Sequence, residues 1–178
     1  EHPAAKTLDS AGFSRALAAA APAAPAKREV AESPARVGET QLVVEVQGAL
    51  YVLPISGIEE IMPMREVTPL PQSAAAVRGV LFLRGHAVTI VDLAVLLGGK
   101  PPQGRRIVVL LLDGERYGLV VDQVHKVVAP GELSDLSTPL SVLGGSTAIR
   151  AVARLGEEVV SMLDLERLIP AATQESGP

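Results

Sequence analysis

Three side chains in this sequence have types suited to gripping another molecule: Arg84, in the run Leu83-Arg84-Gly85, and the adjacent carboxylates Glu59 and Glu60. A guanidinium on a turn offers five donors in a planar fork that fits a carboxylate or carbonyl; the plainer reading is a solubilising surface arginine. Catalytic chemistry has thinner support. His2, His86 and His125 are scattered, with no second ligand at metal spacing. Gly98-Gly99-Lys100 imitates the end of a phosphate loop, but the upstream glycine is missing and Pro101-Pro102 forbids the helix that would hold a phosphate. No Gly-x-Ser-x-Gly elbow occurs, and the absence of cysteine removes disulfides, thiolate catalysis and sulfur-ligated metals. The expectation is no catalytic residue, no metal and no cofactor.

The elements that must position these groups come as a duplication. Arg78–Leu97 aligns with Arg150–Ile169 over 20 positions at an offset of 72, with seven identities that include Arg78 with Arg150 and Asp92 with Asp164. Val43–Met62 aligns with Val109–Val128 at an offset of 66, matching Gln47-Gly48 with Asp113-Gly114 and Tyr51 with Tyr117. One unit is therefore present twice. Each copy is a control for the other: a residue type found in both serves the fold, and a distinctive residue found in one is a candidate for function. Arg84 stands opposite Gly156, while Glu59 and Glu60 stand opposite His125 and Lys126, so none of the three is demanded by the fold. Asp92 and Asp164 fail that test and read as helix caps. Tyr51 and Tyr117, also shared, read as packing residues. Asp122, opposite Ser56, suits a turn better than a partner contact.

With 178 residues, 48% of them hydrophobic but only two Phe and two Tyr, the core must be built from Val, Leu and Ile. A net charge of -4 without a basic cluster argues against nucleic acid. The longest purely apolar run, the six residues Ile107–Leu112, is far short of the roughly 20 that a membrane-spanning helix needs. Residues 1–40, rich in Ala and Pro, read as a disordered tail or linker, with Asp9-Ser10 able to cap a short helix bearing Phe13 and Leu17. Residues 41–170 read as the folded part and 171–178 as a disordered C-terminal tail.

From Gln41 onward, short Val- and Ile-rich runs alternate with turn residues, which predicts strands. LVVEV-QG-ALYVL and IVVLLL-DG-ERYGLVV read as hairpins, as do Val80–Val91 around Gly85 and Ala151–Leu163 around Gly156. Short helices capped by Asp92 and Asp164 follow, with Leu93, Leu96, Leu165 and Leu168 at helical spacing, and a further turn is expected over Ser73–Val77. Each copy thus holds the four or five strands of a small barrel, too small to be stable alone, and the two lobes are expected to pack together around a groove. Alternation along the strand would put Glu60 on the same side as Ile58, and Glu59 with Ile61.

In this order, Leu42–Ile61, a Pro-containing spacer, VRGVLFLRGHAVTIVDL, RIVVLLLDGERYGLVVDQVHKV and AVARLGEEVVSMLDLERLI, the chain resembles the CheW family of bacterial chemosensory coupling proteins over about residues 41–170. The specific features are Leu83-Arg84-Gly85 followed by Val91-Asp92-Leu93, the Glu60-Ile61 pair, and Gly118–Asp122 before Val124. It departs from the usual family pattern at Phe82, Thr89 and Ala94, and in its long tail.

The resemblance implies an all-β fold of two SH3-like five-stranded β-barrel lobes and a non-enzymatic adaptor. It also implies two partners, the regulatory domain of the histidine kinase CheA and the cytoplasmic tip of chemoreceptors, met in the cytoplasm at membrane-bound or cytosolic arrays without membrane insertion. The alternative is a CheW-like scaffold that recruits proteins to an array without activating the kinase. The partner-binding residues so implied are Glu60, Ile61, Arg84, Gly85, Val121 and Asp122. An adaptor calls for an open groove lined by Val and Ile, whereas a ligand-binding enzyme calls for a closed pocket with convergent polar groups. Glu60 is expected beside Arg84 at the groove's edge.

Overall fold

A computed structural model of the chain describes residues 38–101, 105–136 and 148–173. The readings made for residues 1–37, with the Phe13 helix, and for 174–178 lie outside them. Described residues form eleven strands and two short helices. The first half contributes β1 (Gln41–Val46), β2 (Ala49–Pro54), a 3-10 turn (Ile55–Gly57), β3 (Ile58–Pro63), β4 (Val77–Leu83), β5 (His86–Asp92) and α1 (Leu93–Leu96). The second contributes β6 (Arg106–Leu112), β7 (Glu115–Val121), β8 (Gln123–Val128), β9 (Leu133–Asp135), β10 (Ile149–Leu155), β11 (Glu158–Leu163) and α2 (Leu165–Thr173). The final helix runs three residues past the boundary expected at 170, and Ser73–Val77 holds a turn closed by Val77 N donating to the Ala74 carbonyl at 2.9 Å.

Turn chemistry explains the hairpins. Gln47-Gly48, Arg84-Gly85 and Asp113-Gly114 all have two successive positive φ angles, 52° and 78°, 49° and 83°, 49° and 87°. That is the type I′ pattern, whose twist matches the flanking strands. The fourth turn, Gly156-Glu157, has positive φ only at Gly156.

The hairpins do not stay within their own copy. One sheet runs β8-β1-β2-β11-β10-β9 and the other β3-β6-β7-β5-β4. Each sheet therefore has the other copy's hairpin inserted at its centre, β1–β2 between β8 and β11 and β6–β7 between β3 and β5. The expectation that one copy makes one lobe is overturned by this exchange. Both lobes are shared property of both copies.

Three apolar clusters follow from the two-residue alternation of strand side chains. Met62, Val88, Ile90, Ile107, Val109 and Val120 fill the inside of the five-stranded sheet. Val43, Val52, Val128, Ala153, Leu155, Val160 and Met162 do the same for the six-stranded one. The largest cluster lies between the sheets and takes Leu42, Val44, Leu53, Leu119, Val121 and Val124 together with Leu93, Leu165 and Ile169 from the helices. This cluster packs the two lobes against each other. One cleft of about 240 Å³ lies beside the β1–β2 turn, lined by Gln47, Tyr51, Ala94, Leu97 and Gly99, and another of about 220 Å³ is lined by Ser73, Val77, Thr89, Glu115, Tyr117 and Thr173.

Candidate partner-binding site

Glu60 and Arg84 reach each other across the rim of the five-stranded sheet. Glu60 sits on β3 and Arg84 follows β4, the two outermost strands, so the sheet must curl to bring them within 3.1 Å, Arg84 Nη2 to Glu60 Oε2. Arg84 keeps 79% of its side chain exposed and Glu60 27%, leaving most of the guanidinium's donors free to meet another molecule. As a solvated pair it contributes at most about 1 kcal/mol to stability.

Local backbone argues the same way. Arg84 holds φ at +49°, a conformation that costs an ordinary residue about 1 kcal/mol and that Asn, Asp or Gly would adopt more easily. Gly85, at φ +83°, has open space where a side chain would stand, so it is glycine for its backbone and not for clearance. The strain is kept at Arg84 although the turn does not ask for arginine.

A bulge places the carboxylates. Register along β3 and β6 slips between Ile58 and Glu60, leaving Glu59 as the extra residue. Alternation is broken there: Ile58 and Ile61 both enter the core between the sheets, and Glu60 does not share Ile58's face as the unbroken pattern would require. Glu59 accepts a two-pronged contact from Arg116, at 2.8 Å from Nε and 3.1 Å from Nη2. Neighbouring carboxylates are thereby sent to two different guanidiniums. His125 occupies the corresponding bulge in the six-stranded sheet, where Val43 and Val44 face Lys126 and Val124, and contacts Glu45 at 2.7 Å.

Other expected site residues are placed differently. Ile61 and Val121 are 3% and 0% exposed, locked in the inter-sheet core, so neither side chain can touch a partner directly. Asp122 works within the fold: its Oδ2 accepts from Gln47 N at 2.7 Å, and its own N–H donates to the Glu45 carbonyl at 3.0 Å. Gln47 in turn donates through Nε2 to the Lys100 carbonyl at 2.7 Å, tying the β1–β2 turn to the end of the first copy.

Two features of this region escaped the sequence reading. Phe82, 75% exposed, stands on β4 two residues before Arg84. Beyond the single bridge from Thr68 to Val80, no strand among the described residues pairs with the outer edge of β4, whereas β9 covers the matching edge of β10. The second missed feature is an ion pair at the far end of the same hairpin. Asp92, 1% exposed, caps α1 through Oδ1, which accepts from Ala94 N at 3.0 Å, and its Oδ2 accepts from Arg78 Nε at 2.9 Å and Nη2 at 2.7 Å. Asp164 repeats this loosely with Arg150 at 3.5 Å and Arg167 at 3.6 Å, and takes Arg167 N at 3.2 Å. The joint recurrence of Arg and Asp at the same spacing in both copies was the available signal.

Tyr117, in the second cleft, has its pKa pushed up to about 12, first by burial and then by donation to Glu115 Oε2 at 2.6 Å and the nearby charges of Glu115 and Asp113. Burial alone raises that of Tyr51. Both stay neutral phenols at physiological pH. Among the described residues no group of three His, Cys, Asp or Glu side chains is arranged to hold a metal ion, and no helix is long and apolar enough to cross a membrane.

A family model described as the CheW-like domain matches residues 41–173. The chain belongs to the CheW-like family. It is 29% identical over 128 residues to the chemotaxis protein CheW of Treponema pallidum, covering 67% of this chain and 75% of that one. With the chemotaxis protein CheW of Rhizobium meliloti it shares 27% identity over 145 residues, 79% of this chain and 93% of the relative. Among solved structures, the scaffolding protein TtCheW of Thermoanaerobacter tengcongensis superposes with a TM-score of 0.63 at 20% identity, over 74% of this chain and 92% of the other, a likeness of fold. The CheW-like match takes in both sheets, both helices and the Arg84 turn.

Proposed function

We infer that this chain is a non-enzymatic adaptor coupling chemoreceptors to the histidine kinase CheA in a bacterial chemosensory array. Membership of the CheW-like family and the resemblance to chemotaxis proteins support a coupling or scaffolding role in chemotaxis. The kinase's regulatory domain and the receptors' cytoplasmic tips are its partners, met in the cytoplasm at the array. The observation that carries the reading is the Arg84 turn: an exposed guanidinium, held at a strained φ, steered by Glu60 and flanked by exposed Phe82 on an open strand edge. An exposed aromatic beside an arginine is the composition of an interaction hot spot.

Reconstitution tests it. Kinase autophosphorylation is measured with the kinase alone, with this chain, with receptor tips, and with all three. The coupler reading requires a large gain only in the complete mixture, and loss of that gain with Arg84→Glu or Glu60→Lys while the melting temperature holds. Binding to both partners with no gain in phosphorylation would leave a scaffold that recruits without activating. Failure to bind either partner would overturn both.

A further inference from the structure

The exchanged hairpins are forced by link lengths, and this has a consequence for what the chain can associate with. Strand β8 pairs antiparallel with β1, and β1 with β2, so β8 runs parallel to β2 with one strand between them. Had the second copy closed on itself, its own β6–β7 hairpin would fill that slot, and β8 would lie parallel to β7 on the far side of β6. Such a crossover must retrace a strand of about 20 Å and pass two strand spacings, about 10 Å. Only Asp122 separates β7 from β8, and the two backbone steps from Val121 to Gln123 span at most about 7 Å. The four steps from Pro54 to Ile58, between β2 and β3, fail in the same way, with a reach of about 14 Å.

Neither copy can therefore complete a sheet from its own strands. Without β6–β7, strand β3 has no neighbour and is parted from β4–β5; without β1–β2, strand β8 is parted from β9–β11. Four strand pairings, β1 with β8, β2 with β11, β3 with β6 and β5 with β7, cross from one half to the other. Both halves also contribute to the core between the sheets, Leu42 and Val91 from one and Leu119 and Val124 from the other.

We propose that residues 38–101 and 105–173 are obligate partners of each other, whose mutual recognition works between chains as well as within one, so that a second copy of this protein can supply either half. The partner is the complementary half-chain, recognised by two open sheet centres and two exposed hairpins. A short tether holds the halves at an effective concentration on the order of 1 mM, so within one intact chain the internal pairing dominates and exchange between chains emerges only on refolding at hundreds of micromolar or above.

Two measurements on the full-length chain test this. In the first, a protease site is inserted between Pro102 and Gly104 and cut after folding. The two pieces should remain one particle of 1:1 stoichiometry by native mass spectrometry. After unfolding and separation, each piece alone should lack a cooperative melt, and mixing should restore it at a rate that rises in proportion to concentration. Pieces that part in native buffer, or either piece melting cooperatively alone, would overturn the proposal. In the second, cysteines are placed at the cross-half register partners Glu45 and Gln123, in a chain that has none of its own. Refolding under oxidation should give a disulfide-linked dimer whose fraction rises steeply from micromolar to near-millimolar protein. Only intramolecular disulfide at every concentration, or a dimer carrying only intramolecular disulfides, would sink exchange between chains.

Discussion

The turn between β4 and β5 and the turn between β10 and β11 hold matching places in the two copies, but they differ in residues and in backbone, with two positive φ angles in the first and one in the second. Both are two-residue hairpins that lead, one strand later, to an aspartate-capped helix. One reads Phe82-Leu83-Arg84-Gly85 and the other Arg154-Leu155-Gly156-Glu157. Glu60 lies beside the first turn, and the residue aligned with it in the second copy is Lys126. The edge of β10 is covered by β9, and among the described residues only Thr68 bridges to the edge of β4. In the second turn glycine takes the positive φ without cost, while in the first arginine accepts it. The duplication thus separates what the fold requires from what is kept in spite of the fold.

The largest effect is expected at a shared residue. Asp92→Ala removes a buried carboxylate that caps α1 and neutralises Arg78, and should cost about 3 kcal/mol, lowering the melting temperature by about 10 °C. Asp164→Ala should cost only about 1 kcal/mol, since its arginines lie at 3.5 and 3.6 Å and are more exposed. Equal losses in thermal melts would break the claim that the helix cap of the first copy is held more tightly than that of the second.

Next come the unshared residues. Arg84→Glu should weaken partner binding at least tenfold, about 1.4 kcal/mol, by titration calorimetry, while Gly156→Arg leaves it within about twofold. If the second substitution weakens binding as much as the first, the two turns are not functionally distinct. Exchanging the pair, Arg84→Glu with Glu60→Arg, should keep the melting temperature within about 3 °C of wild type, because an exposed pair contributes at most about 1 kcal/mol, yet should not restore binding. Recovery of affinity would mean that only the ion pair matters, not the direction in which the guanidinium faces.

A third comparison sets Tyr117 against Tyr51. A phenol whose folded pKa lies above its unfolded value of 10 lends stability that is complete below pH 10 and is lost as pH rises through about 12. Tyr117→Phe should therefore lose the Glu115 hydrogen bond at neutral pH, about 1 kcal/mol, and flatten the fall in stability between pH 10 and 12. Tyr51→Phe should flatten it less, since only burial acts there. Denaturant melts across that range decide it.

The local parts of this structure were legible in the sequence because local chemistry determines them. Asn-like geometry at Gln47-Gly48 and Asp113-Gly114, and caps at Asp92 and Asp164, need only neighbours a few residues away. The exchange of hairpins was not, because the two hairpins carry the same pattern and either would suit either slot; the decision rests on how short the links at Asp122 and at Ile55–Gly57 are. Arg84 and Glu60 stood out because the other copy lacks them, and the expectation that they lie side by side is met at 3.1 Å. Ile61 and Val121 came from resemblance alone. Val121 matches Ile55 in the first copy, and a shared apolar residue belongs to the core.

The smallest expected effect bears most directly on why arginine is kept. Arg84→Gly removes the strain of φ +49° but also the contact to Glu60, and glycine adds freedom to the unfolded chain. Relief of about 1 kcal/mol is set against an ion pair of a few tenths and a similar entropy term, so stability should stay level or rise by up to about 0.5 kcal/mol. Binding should fall as it does for other truncations of an anchor. A variant that is at least as stable as the parent and binds poorly would show strain retained for recognition, as the comparison with Gly156 implies. One that melts lower by more than about 1 kcal/mol would show Arg84 holding the rim of the sheet together, and the contrast between the two turns would then be one of architecture.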